Sequence, residues 1–187
     1  VPILPVPKIT FPLSDKRKSG FLPPTIGLSS VSGVEYEQPY YWNIAPNRDA
    51  TITPMLMSRR GAALSGEFRY LEPTYSGQAS GLYMPRDQLR DRDRWAYALK
   101  HNGTIDSPIG GLGLNIDAKR VSDDDYWRDF SQRTSPMGLG TQLTQRLLSA
   151  DASLGWGRGD HSVSVRTLKW QTLQDVNARI VPPYDRM

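Results

Sequence analysis

The sequence predicts an all-β chain, an antiparallel up-and-down meander that crosses a bilayer as a segment of a transmembrane β-barrel. Three observations predict it. Strand-like segments run at about 20–29, 33–42, 49–59, 61–72, 77–85, 93–102, 109–121, 141–156 and 160–171. Each is at or above the roughly 9–11 residues a tilted strand needs to cross a bilayer, where soluble strands average about 5–6. Apolar residues alternate with small, polar or charged ones within several segments. In 112–119, Leu112, Leu114, Ile116 and Ala118 alternate with Gly113, Asn115, Asp117 and Lys119. Trp95, Tyr97 and Leu99 likewise oppose Arg94, Ala96, Ala98 and Lys100. Finally, the longer polar connections, 86–92 and 122–140, follow the fifth and seventh segments, while shorter ones follow the even segments. Long loops at one end and short turns at the other is the pattern of an outer-membrane barrel.

In chain order, residues 1–19 carry Pro2, Pro5, Pro7 and Pro12 and the charged run Asp15-Lys16-Arg17-Lys18, so they are expected as an extended connector from an upstream domain. The barrel strands are expected over 20–187. The first segment holds Pro23 and Pro24 and the second holds Pro39. Proline cannot donate to a ladder, so two neighbouring strands carrying it predict a weakly paired region, or a local bend. Tyr40, Tyr41 and Trp42 stand before the turn formers Asn43, Pro46, Asn47 and Asp49. Three aromatics at a strand end fit a membrane–water interface and equally an aromatic cluster closing a soluble core. Asn102-Gly103 predicts a type I′ hairpin turn, and Arg158-Gly159-Asp160 predicts another turn. Asp123-Asp124-Asp125 and the following Tyr126–Phe130 stretch predict a solvated loop or short helix.

Composition excludes several classes. Hydrophobic residues make up 38%, yet 16 Gly, 5 Trp and 9 Tyr are not a disordered composition. No run of eighteen apolar residues offers a spanning helix, which leaves a spanning barrel open. With no cysteine there is no disulfide framework, thiolate nucleophile or Cys metal site. The formal charge of +4 comes from 23 basic residues dispersed among 19 acidic ones, so no nucleic-acid partner is expected. The two histidines, His101 and His161, lack neighbours at ligand spacing, and the aspartate run lacks the spacing of a calcium loop, so no metal or other cofactor is expected. No nucleophile–base pair is visible, and no enzyme is expected. The chain begins at Val1, as an excerpt of a longer protein would.

Four blocks carry a resemblance: Asp15-Lys16-Arg17-Lys18-Ser19-Gly20-Phe21-Leu22, Pro39-Tyr40-Tyr41-Trp42-Asn43-Ile44-Ala45-Pro46, Asp49-Ala50-Thr51-Ile52-Thr53-Pro54 and Gly66-Glu67-Phe68-Arg69-Tyr70-Leu71. Together with Val121–Trp127 they resemble the barrel domain of the LptD family, the lipopolysaccharide-assembly outer-membrane proteins. Beyond Phe130 the likeness rests on strand pattern alone. The resemblance implies that these are the first strands of a ring of roughly two dozen. It implies the bacterial outer membrane as location, and lipopolysaccharide, outer-membrane lipid, the LptE lipoprotein plug and periplasmic lipopolysaccharide bridge proteins as partners. It also implies a lateral gate at the first strand, a seam between the first and last strands of the ring, flanked by Pro24 and Pro39. The competing readings are a soluble β-sandwich or carbohydrate-binding module, with shorter strands around a compact core, and a passive porin segment without a seam.

Overall fold

The structure is a computed structural model and describes residues 17–130 and 147–173. Within them, eleven strands form a single antiparallel sheet, accompanied by one short helix. The strands are β1 (Gly20–Phe21), β2 (Thr25–Ser29), β3 (Gly33–Glu37), β4 (Tyr40–Ala45), β5 (Arg48–Met57), β6 (Gly61–Leu71), β7 (Tyr75–Asp87), β8 (Arg92–Ser107), β9 (Gly110–Val121), β10 (Leu147–Arg158) and β11 (His161–Thr172). The helix α1 is Tyr126–Phe130. From β4 to β11 every strand pairs with its neighbour in sequence, so the meander is as expected. The first two segments differ from expectation. Each is interrupted, as β1 and β2 on one side and β3 and β4 on the other. β1 pairs with β4, β2 pairs with β3, and β5 pairs with both β3 and β4.

The strands also run further into their connections than the sequence suggests. Asn102 and Gly103 do not form a turn. They lie inside β8, where Asn102 faces both Ser76 and Asn115 across the ladders, and the hairpin turn falls at Pro108-Ile109 instead. Cross-strand pairing on both sides outweighs the local turn preference of Asn-Gly. The expected loop 86–92 shortens to Gln88–Asp91, with Arg86 and Asp91 taking positive φ. The Gly159-Asp160 turn is as expected, with Gly159 at φ 57°. The expected segment 141–156 is β10 from Leu147 onward, and its first six residues lie outside the described ones.

Register sorts the side chains into two faces, because directly paired residues share a side. One face carries Met55, Met57, Ala63, Leu82, Met84, Ala96, Ala98 and Val121, buried with Tyr126 and Phe130 of α1 and with Leu148 and Leu173. Towards the opposite strand ends this covered face turns polar, with Asp49, Arg69, Gln78, Lys100, Asn115, Asp117 and Asp151. The other face is open. Ile52, Leu56, Leu64, Phe68, Tyr83, Tyr97, Leu114 and Leu154 point from it and are all exposed.

Between the strand ends the open face holds no Asp, Glu, Lys or Arg from β5 to β10. Its residues there are Ala50–Leu56, Ala62–Tyr70, Tyr75–Tyr83, Trp95–Ile105, Leu112–Ala118 and Ala150–Trp156, taken at every second position. Ala62 to Tyr70 measures about 27 Å along the strand at ~3.4 Å per residue, close to the ~25 Å apolar band of outer-membrane barrels. Charges on this face collect at the ends: Arg48 pairs with Glu72, and Asp93 accepts from Tyr83 at 2.8 Å. A sandwich core would have its apolar face buried by a second sheet; here an apolar face is left exposed, while the covered face mixes a hydrophobic cluster with the buried charges of Arg60, Arg94 and Asp87. No helix among the described residues is long and apolar enough to cross a membrane, which says nothing of crossing by strands.

Candidate functional site: the broken first hairpin and the charged cap

The first hairpin is where the ladder fails. Phe21 faces Tyr40, and Thr25 faces Glu37. Three residues, Leu22, Pro23 and Pro24, therefore stand opposite two, Gln38 and Pro39, which is a bulge of one residue on the first strand. The prolines expected inside continuous strands thus sit in the interruption itself. Pro24 lies just before β2 and Pro39 just before β4. The physical reason is the missing N–H: neither residue can complete a ladder pair. Pro54 of β5 lies level with them, its carbonyl accepting from the Gln38 N–H at 3.1 Å.

What remains across the break is sparse. The Leu22 N–H donates to the Pro39 carbonyl at 2.9 Å, and the Gln38 side-chain amide donates from Nε2 to the Leu22 carbonyl at 2.8 Å. β1 and β2 form one margin of the described sheet, with Phe21, Ile26 and Leu28 strongly exposed. On the covered side, Arg17 and Ser19 dock on Asn43: Ser19 Oγ accepts from the Asn43 N–H at 2.8 Å, and the Arg17 carbonyl accepts from Asn43 Nδ2 at 3.0 Å.

The aromatic block divides by the pleat. Tyr40 faces Ile52 and Trp42 faces Ala50, which places both on the open face. Tyr41 faces Thr51 on the covered face and donates its hydroxyl to Asp49 at 3.2 Å. The three residues that adjoin in sequence therefore do not share one environment.

At the far ends of the strands, α1 lies over the covered face on a buried charged cluster. Arg60 and Arg94 are fully buried, as is Asp87. Arg94 pairs with Asp123 at 2.6 Å, Asp129 at 2.8 Å and Asp87 at 3.3 Å. Arg60 pairs with Asp87 and reaches Asp129 at 3.2 Å. Arg90 adds two hydrogen bonds to Asp129, at 2.9 and 3.0 Å. The Arg94 guanidinium lies 5.2 Å from the Phe130 ring centre and 5.5 Å from that of Tyr126. Of the stretch expected as a solvated loop or short helix, Tyr126–Phe130 is a helix, with Tyr126 and Phe130 buried and Trp127 partly so. Burial lifts the Tyr126 phenol above its usual range.

Burial alone would raise the Asp129 carboxyl, but hydrogen bonds from Arg90 and Arg94 and the charge of Arg60 outweigh it and lower the pKa to about 2. The folded value lies below the ordinary 3.8, so Asp129 stabilises the docked helix fully above about pH 4 and loses that contribution as pH falls through 2. The expected outcome is that α1 stays docked at pH 5 and loosens between pH 4 and 2, read by fluorescence of Trp127. An Asp129→Asn protein should lack that acid step. A transition of equal size in both proteins would remove Asp129 as its source.

Sequence reasoning passed over Gln38, Arg60, Asp87, Arg94 and Asp129. The one available signal was charge in three connections at the same end of the meander: Arg59-Arg60, Arg86–Arg94 and Asp123–Asp129. No cluster of three or more His, Asp or Glu capable of holding a metal ion occurs among the described residues.

A family model for the LPS transport system D protein, LptD, matches residues 92–187, slightly more than half of the chain. The chain belongs to the LptD family. The match covers the part where the LptD-like blocks of the sequence are sparse, so the two lines of resemblance complement each other. Along its whole length the chain is 72% identical to the LPS-assembly protein LptD of Acidovorax sp. strain JS42 and 74% identical to that of Paracidovorax citrulli. It is 43% identical to the LPS-assembly protein LptD of Bordetella pertussis. It spans 23% of the length of each of these three LptD proteins. The all-β meander with an apolar open face agrees with a segment of an LptD-type barrel.

Proposed function

We propose that this chain forms the first strands of an outer-membrane β-barrel that inserts lipopolysaccharide into the outer leaflet, with a lateral gate at the first strand. It acts as a wall and a seam, without catalysis. Residues 1–19 serve as the connector from a periplasmic domain, and 20–187 belong to the barrel. The observation that carries the membrane placement is the uncharged, exposed open face running across β5 to β10. Lipid replaces the missing second layer, and small residues such as Gly66, Ala79 and Gly81 are tolerated there because acyl chains fill around them.

The gate reading is supported by the bulge at Leu22–Pro24 and Pro39. A ladder that lacks donors is easier to part, more so in lipid, where water cannot substitute for them. Acyl chains then leave sideways through the seam while the sugars stay on the polar, covered side. LptE as a plug in the lumen and a periplasmic lipopolysaccharide bridge upstream complete the assembly. Tyr40 and Trp42, on the open face near the Pro46-Asn47 turn, suit the periplasmic membrane boundary.

Replacing Pro24 and Pro39 together by Ala in the full-length protein tests the gate. Each substitution restores an N–H able to make a bond worth about 0.5–1.5 kcal/mol. The expected result is a folded barrel with slower lipopolysaccharide delivery to the cell surface. A folded double variant delivering at the wild-type rate would overturn the role of these prolines.

A further inference from the structure

In a regular antiparallel ladder, a hydrogen-bonded pair exchanges two bonds, each residue donating its N–H to the other's carbonyl. Leu22 and Pro39 form such a pair with one half missing. Leu22 donates to the Pro39 carbonyl at 2.9 Å, but Pro39 has no N–H to return. The Leu22 carbonyl is nonetheless satisfied, because Gln38 Nε2 donates to it at 2.8 Å. The side chain of the preceding residue thus fills the place of the absent backbone donor.

Two further contacts hold that amide in position. The Tyr36 hydroxyl donates to Gln38 Oε1 at 2.9 Å, which fixes the amide orientation and leaves Nε2 turned towards the first strand. The Gln38 backbone N–H is committed to the Pro54 carbonyl of β5, so the residue is anchored to the third strand segment while its side chain grips the first. Tyr36 pairs with Leu56 and so stands on the open face, two residues from Gln38, among apolar neighbours. A hydrogen bond at that face has little water to compete with it once lipid covers it.

We infer that Gln38 is the latch of the first hairpin, a positioning residue whose amide closes the proline break and sets how firmly the first strand, one margin of the seam, is held to its neighbour. A side-chain amide suits this better than a backbone donor: it swings away by rotation about its own bonds, leaving the β3–β5 and β4–β5 ladders intact. This inference rests on the gate reading for its functional consequence, but the latch itself is a separate physical statement about the hairpin.

The test is hydrogen exchange on the full-length, lipid-embedded protein, comparing peptides covering residues 20–29 with those covering β8 and β9. Gln38→Met removes the donor while keeping an unbranched side chain of similar length. It is expected to speed exchange in 20–29 about five-fold, the equivalent of one ordinary hydrogen bond, and to leave β8 and β9 unchanged. Tyr36→Phe should act in the same direction and more weakly. In a Pro39→Ala background the backbone N–H returns, and Gln38→Met should then add nothing. Unaltered exchange, acceleration spread evenly over β8 and β9, or a full Gln38→Met effect that persists beside Pro39→Ala would each overturn the latch. Lipopolysaccharide delivery measured on the same proteins separates the two ideas. If exchange follows the pattern above while delivery is unchanged in every variant, the latch stands and the gate reading fails.

Discussion

Replacing Arg94 by Ala is expected to cost about 3–5 kcal/mol and to free α1 from the sheet, the range for removing one partner of a buried ion pair. Its side chain is fully buried and pairs with Asp87, Asp123 and Asp129. It also supports the Tyr126 and Phe130 rings. Removing it leaves those carboxylates to Arg60, Arg90 and Arg92 alone, in a site with little access to water. The deletion also opens a void beneath two aromatic rings. The measurement is denaturant unfolding of the full-length protein in lipid, together with protease sensitivity near residue 128. Asp129→Asn combined with Arg94→Ala should cost less than the sum of the two, because each removes a charge the other leaves unpaired. Strict additivity would show that the cluster does not act as a unit.

Leu114→Arg is expected to destabilise the barrel in lipid by about 2–4 kcal/mol if Leu114 lies near the bilayer midplane, and less towards either boundary. Leu114 points from the open face and is paired with Leu154 of β10, also exposed. Asn115→Arg, one residue along, places the same charge on the covered, polar side and is expected to cost little. The contrast is the measurement: same strand, same substituent, opposite faces. It is read from unfolding in bilayers and from the folded fraction after membrane insertion. Equal costs at the two positions would remove lipid from the open face and revive a soluble sheet.

The covered face shows how far a sequence pattern reaches. Trp95, Tyr97 and Leu99 alternating with Arg94, Ala96 and Ala98 fixes two faces but not which one is buried. Pairing with Tyr83, Leu82 and Met84 across β7 and the arrival of α1 decide that the Arg94 side is covered. The charged cluster escaped notice because its members lie far apart in the chain; Arg60 and Asp129 meet only when the connections at one end converge. Asn102-Gly103 misled for a related reason: a local turn preference loses to pairing on both sides of β8.

By itself the sequence determined the all-β class, the meander order, the apolar alternation and the proline-bearing first hairpin. Each is a property of near neighbours along the chain: period, strand length and the absence of an N–H. Only the tertiary structure decided that Tyr41 leaves the company of Tyr40 and Trp42, since the pleat sends adjacent residues to opposite sides. Only register showed that three residues oppose two at the proline break, and that the amide of Gln38 stands where the N–H of Pro39 is missing. Register is set jointly by strands on both sides, so a donor supplied across a ladder is invisible until the partners are aligned.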